Sequence, residues 1–175
     1  MPLSKPLLVL TNSSSQYIVF TRIGLSHLYT RQVGHYRQIF SPIKRRYARI
    51  TKNQLAPTKI ISDYETAMMS AAETEFPQTS ICGCFFHLCQ SIWRRVQRLG
   101  PARSYERNQN LRNCIRKVMA IAYLPVLFVR ANFDQLYREN MARRLCRRYP
   151  TLRDLPNYFS GNYLNGQYPI PTLNV

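Results

Sequence analysis

Acid is the scarcest chemistry in this chain: 8 Asp plus Glu stand against 25 Lys plus Arg in 175 residues. The first 62 residues contain no acid at all and ten basic residues. A net charge of +17 is far from the balance of an ordinary soluble domain, and its natural complement is a polyanion, most often nucleic acid, held by phosphate neutralisation and counterion release. An acidic protein partner would answer the same charge. Long apolar runs are also missing. Nothing approaches the ~18 residues of a spanning helix, and Pro6-Leu7-Leu8-Val9-Leu10 is too short for the apolar core of a signal peptide. No membrane role is therefore expected. The five cysteines are odd in number, with three crowded at Cys82, Cys84 and Cys89 and two far off at Cys114 and Cys146. That is not a secreted disulfide framework, so the chain reads as intracellular with reduced thiols. There are no internal repeats.

What is present argues for folding. The chain is 45% hydrophobic and 12% aromatic, enough for one domain with a real core and too short for two of typical size. Gln16 to Thr21 is β-branched and aromatic and reads as a strand; Ser26 to Thr30 is a weaker one, with turns at Ser13 to Ser15 and Gly24. From His35 to Lys52, Tyr36, Ile39, Phe40, Ile43, Tyr47 and Ile50 recur at helical spacing, and Pro42 inside this stripe predicts a kink or break. Lys44, Arg45, Arg46 and Arg49 cover the rest of that helix, as a solvated face or as phosphate contacts.

Lys59 to Ser62 reads as a strand, Thr66 to Glu75 as a helix, and Ser80 to Cys82 as a second strand. Asp63 thus closes a buried strand, where open α/β sheets place their ligands. It is also a sound cap for the following helix. Beyond His87 the pattern is helical. Leu88, Ile92, Val96 and Leu99 form one stripe. A helix over Tyr105 to Tyr123 follows, then one opened by Pro125, then one over Met141 to Arg148. Residues 101–150 hold eleven basic and three acidic residues, net +8. The Gly-, Asn- and Tyr-rich stretch from Asn157 and the final residues with Pro169 and Pro171 read as an extended tail. The expected fold is α/β, a small mixed sheet followed by an all-helical basic block.

Several runs carry a family likeness: Ile61-Ser62-Asp63-Tyr64-Glu65-Thr66-Ala67; Phe76-Pro77; Gly83-Cys84-Phe85-Phe86-His87-Leu88-Cys89-Gln90 through Arg94; and Ala120 to Val126. Val33 to Phe40 upstream, and Tyr158-Phe159 with Asn162 to Gly166 downstream, fall in the matching order. The chain resembles the transposase domain of Mutator-like elements, the MULE family, from about residue 31 to 166, with eroded strands before that. The resemblance divides it into eroded strands (1–30), an α/β core with Asp63 (31–100), a helical insertion (101–156) and a tail (157–175).

The resemblance implies a ribonuclease-H-like core, a nuclear location and a DNA partner, with self-association or a transposase partner. It also implies an Asp-Asp-Glu triad holding two Mg²⁺ or Mn²⁺ ions for phosphoryl transfer, in which Asp63 takes the second aspartate position. The first aspartate has no candidate in residues 1–62, and Glu106, Asp134, Glu139 and Asp154 match no catalytic position. One carboxylate cannot assemble a two-metal site. A DNA-binding protein inactive on its own is the leading expectation, ahead of a fragment of an active transposase or a non-catalytic protein-interaction module.

Cys84 and His87 fill the family's Cys-x-x-His pair. Zn²⁺ is the metal such a pair suits, though a structural site wants four ligands and a packing role serves both residues equally. Arg94, Arg98, Arg112, Arg116, Arg143, Arg144, Arg147 and Arg148 are the candidate DNA contacts. They offer backbone contact without a legible base-reading motif. Trp93 is expected in helix packing.

Overall fold

A computed structural model describes residues 7–11, 16–20 and 32–166, the side chains of the first two segments and of residues 140 and 141 excepted. The chain divides into two compact units between Cys84 and Phe85.

The first unit is α/β. Strands β1 (Leu7–Thr11), β2 (Gln16–Phe20), β3 (Lys59–Ser62) and β4 (Ser80–Gly83) lie side by side in chain order. The first pair is antiparallel, Leu7 opposite Phe20 and Thr11 opposite Gln16. The next two pairs are parallel, with Ile18 beside Ile60 and Ile60 beside Ile81. Parallel neighbours need a crossover, and α1 (Val33–Thr51) and α2 (Thr66–Glu75) supply the two. The expected strand over 16–21 and the strand–helix–strand unit are present. Strand β1 falls on the short apolar run Leu7-Leu8-Val9-Leu10, which carries no strand expectation in the sequence. The weak strand and both turns expected before residue 31 lie outside the described residues.

Burial in β3 alternates, Ile60 and Ser62 inside and Lys59 and Ile61 half out, as a pleat covered on one face requires. Tyr36 and Phe40 of α1, and Met68, Met69, Ala71 and Ala72 of α2, fill the layer. Phe40 meets Phe76 edge to face at 5.5 Å. Ile50, expected on the core stripe, is 66% exposed. Pro42 does not break α1, which runs on through it. Proline removes one N–H and crowds the carbonyl four residues back, that of Gln38. Pro42 and Gln38 are both on the exposed side of the helix, where water can serve that carbonyl and the tolerated distortion is largest.

Glu75 clasps the two helices. Arg37 Nε donates to its carboxylate at 2.8 Å and Lys44 Nζ at 2.9 Å. The Arg37 hydrogen bond, then that of Lys44, holds the carboxyl below its ordinary value. A carboxylate with a depressed folded pKa stabilises above its unfolded pKa, and that contribution is lost as pH falls through the folded value. Acid titration of stability, followed by circular dichroism, should show this loss starting near pH ~4.3 and continuing below it. Glu75→Gln should remove that part of the pH dependence while leaving the neutral-pH fold in place.

The second unit is all helical: α3 (Phe85–Arg98), α4 (Ala102–Arg107), α5 (Gln109–Ala120), a 3₁₀ turn Ile121–Tyr123, α6 (Val126–Arg138) and α7 (Asn140–Arg148). A 3₁₀ turn Pro150–Arg153, α8 (Asp154–Phe159) and a π-helical turn Ser160–Leu164 complete it. The single helix expected over 105–123 is interrupted at Asn108, whose Oδ1 accepts the Leu111 N–H at 3.1 Å and so starts α5 afresh. Leu88, Ile92, Val96, Leu111, Ile115 and Val118 are fully buried. Trp93 packs edge to face on Tyr105 at 4.8 Å, the packing role expected of it.

The expected extended tail is wrong for residues 157–164. Leu155, Phe159, Tyr163 and Leu164 are buried. Thr151 donates to the Leu99 carbonyl at 2.7 Å, Arg95 pairs with Asp154 at 2.7 Å, and the Ser91 and Tyr163 hydroxyls meet at 2.6 Å, all three tying this segment to α3 and its end. Core membership at four-residue steps overrode a loop-like composition. Residues 167–175 lie outside the described set. No helix among the described residues is long and apolar enough to cross a membrane.

Candidate functional site

Asp63 follows β3 directly, at the carboxyl end of the parallel pair β3–β4. Its turn is set by backbone bonds: the Asp63 carbonyl accepts the Glu65 N–H at 2.7 Å and the Ser62 hydroxyl at 2.6 Å. Next door, the Ser62 carbonyl accepts the Cys84 N–H at 2.7 Å, locking the ends of β3 and β4 together. Helix α2 begins after Glu65 with no side-chain cap, so Asp63 does not serve as the cap its position suggested. Its half-buried carboxylate takes no hydrogen bond or ion pair among the described residues. Glu65 is committed elsewhere, accepting the Tyr36 hydroxyl at 2.6 Å. That pair, 29 residues apart in the chain, is invisible to local sequence patterns.

The strands flanking β3 carry no acid: β2 is Gln-Tyr-Ile-Val-Phe and β4 is Ser-Ile-Cys-Gly. Asp63 therefore has no carboxylate neighbour on an adjoining strand. Among the described residues no three His, Cys, Asp or Glu side chains come together to hold a metal ion. The donor set present does not fit two Mg²⁺ or Mn²⁺ ions, and no chemical step through them follows from it.

Gly83 explains itself by packing. A Cβ at this position would overlap the ring of Tyr64, the residue after Asp63, so the ring lies flush on the end of β4 only because residue 83 has no side chain. Gly83→Ala should displace that ring and cost about 1–2 kcal/mol, because the ring rather than the backbone gives way. Urea unfolding of Gly83→Ala, Tyr64→Ala and the double variant checks it: the double should lose less than the two singles combined. Full additivity would mean the two residues do not constrain one another.

Cys84 ends the first unit, its backbone N–H bound to Ser62 and its side chain half-buried. His87 lies in the first turn of α3, with Nδ1 buried and without a partner among the described residues. Cys82 is buried in β4 with Sγ 3.7 Å from the Ser80 hydroxyl. Burial pushes the Cys114 thiol up to about 11, with Cys146 adding to the shift, and burial raises Cys146 too. Thiols held neutral in this way pack as small apolar groups. Among the described residues no group of three His, Cys, Asp or Glu side chains gathers around Cys84 and His87.

Residues 5–91 match the family model of the MULE transposase domain. The match covers just under half of the chain and is consistent with a partial MULE member. The match reaches upstream of residue 31, where the likeness had looked eroded, and stops at 91, short of the helical segments that also carried a resemblance. No curated protein and no solved structure matches the chain.

The candidate DNA contacts all sit in the helical unit. Arg94 and Arg98 are exposed on α3, Arg116 on α5, and Arg143, Arg144, Arg147 and Arg148 on α7. Arg112 is half-buried and partly engaged, 3.1 Å from Gln109 Oε1 and over the Tyr105 ring. Arg148 lies 5.8 Å over Tyr149. Neither carboxylate bonded in this unit takes any of the eight: Asp154 holds Arg95 and Glu139 holds Lys117. In the MULE-matched unit, Lys44 is structural, bound to Glu75, while Arg45, Arg46 and Arg49 stay exposed.

Proposed function

We propose that this chain is a transposon-derived, nuclear DNA-binding protein with a ribonuclease-H-like core, inactive in strand cleavage or transfer on its own. The observation that carries the reading is Asp63: a carboxylate inside the MULE match, at the carboxyl end of a parallel strand, with no structural bond and no acidic neighbour on β2 or β4. The mixed sheet, a hairpin leading into two parallel crossovers, supports the core assignment. Asp63 descends on this reading from the family's second catalytic aspartate and has lost its partners. DNA is held through phosphates by exposed arginines, with little base selectivity.

The test has two parts. Duplex DNA of random sequence, titrated from ~50 to ~200 mM salt, should bind with an affinity that falls steeply as salt rises. Absent or salt-independent binding would leave the protein-interaction reading. Supercoiled plasmid with Mg²⁺ or Mn²⁺ should stay uncut. Nicking that Asp63→Asn abolishes would instead make this chain an active piece of a two-metal transposase.

A further inference from the structure

The first unit holds a concavity that the MULE reading does not use. It lies between α1, the loop before β3 and the loop before β4, has a volume of about 620 Å³, and is floored by Leu55, Phe76 and Pro77. That volume is in the range of small-molecule sites, ~300–1,000 Å³, which are mostly apolar with a few placed polar groups. Thr58 and Thr79, immediately before β3 and β4, line it. Asp63 follows the other end of β3, and four residues of strand span ~13 Å. The cavity is a separate place from the carboxylate.

Its charge is asymmetric. Lys44 and Glu75 both line it, but they satisfy each other: Lys44 Nζ bonds the Glu75 carboxylate and carbonyl and sits 4.5 Å over the Phe76 ring. Arg37 holds the same carboxylate from outside the lining. Glu75, the only acid among the described lining residues, is thereby matched by two cations. Arg45 is the cation left over, exposed at the rim and bound to nothing among the described residues. An apolar floor, a wall whose acid is already paired and one available guanidinium suit one chemistry.

We propose that this cavity binds a small anion with a flat apolar body, the body on Phe76 and Leu55 and the anionic group on Arg45. Anilinonaphthalene sulfonate has that chemistry and is the probe, with N-phenylnaphthylamine as the same body without its charge. At ~0.15 M salt, where long-range attraction to the basic surface is screened, the full chain should bind the sulfonate saturably at one site. Arg45→Glu should weaken binding about tenfold, the uncharged probe should bind about tenfold more weakly than the sulfonate, and both follow from losing one charge-assisted contact. Ala48→Trp, a lining position on the exposed side of α1, should fill the space and abolish binding, with circular dichroism unchanged. Leu127→Asp serves as control, because Leu127 is 88% exposed beside Phe128 and offers the dye a rival apolar surface. Binding that survives Ala48→Trp, or is lost in Leu127→Asp, overturns the site. Binding that ignores both Arg45→Glu and the missing sulfonate overturns the anion preference.

Discussion

Phe159→Ala should destabilise the helical unit by about 3–5 kcal/mol. The ring is fully buried, stacks on Phe133 at 4.9 Å with 18° between planes, and lies 5.3 Å from the Tyr163 ring. Truncation removes this contact surface and leaves a void that the packed helices cannot close, in a domain whose total stability is of order 5–15 kcal/mol. Its neighbour gives the internal control. Tyr158 is half-buried and meets Arg95 at 5.4 Å, so Tyr158→Ala should cost about 1 kcal/mol or less. Urea unfolding of both variants decides between two pictures of this segment. An extended tail would leave the Phe159 variant within ~0.5 kcal/mol of wild type; the buried helix requires the large loss.

Replacing Arg143, Arg144, Arg147 and Arg148 together by Gln should take about half of the salt dependence out of DNA binding. Four phosphate contacts account for a log–log salt slope of about 3.6, which corresponds to about 150-fold in affinity between ~50 and ~200 mM salt. The variant should therefore bind with a slope shallower by about that amount, while the corresponding quadruple Lys variant should keep it. Stability is expected to move the other way. Arg143 with Arg147 and Arg144 with Arg148 are like charges one turn apart, each pair destabilising a helix by ~0.2–0.5 kcal/mol. The opposite face, with Ala142 and Leu145 buried, is untouched. A helix that melts no earlier yet loses its grip on DNA would place these arginines on the phosphates. An unchanged slope would remove α7 from the interface.

The parts of this chain readable from sequence were those whose reasons are local. β3, α2 and β4 follow from a short apolar run, an aspartate-containing turn and a proline after Phe76, and the stripe of α3 follows from four apolar residues at helical spacing. Other elements needed the third dimension. Pro42 is tolerated because it faces outward. Asn108 splits a helix because its side chain captures the Leu111 N–H. The segment around Phe159 has Gly161, Gly166 and several Asn residues, and that composition hid the spacing of Leu155, Phe159 and Tyr163. At the candidate site, the position of Asp63 was legible and its lack of bonds was not. The occupation of Glu65 by Tyr36 depends on a contact between α1 and the start of α2 that no sequence period encodes.

Strand β3 is only four residues long, yet it separates two distinct places. Asp63 stands after its last residue and the cavity opens before its first. A substitution at Asp63 can change one end without disturbing the hydrogen bonds that hold the other, since the clasp of Glu75 by Arg37 and Lys44 involves neither Ser62 nor Asp63. Substitutions at the two ends should then accumulate independently among descendants of this sequence.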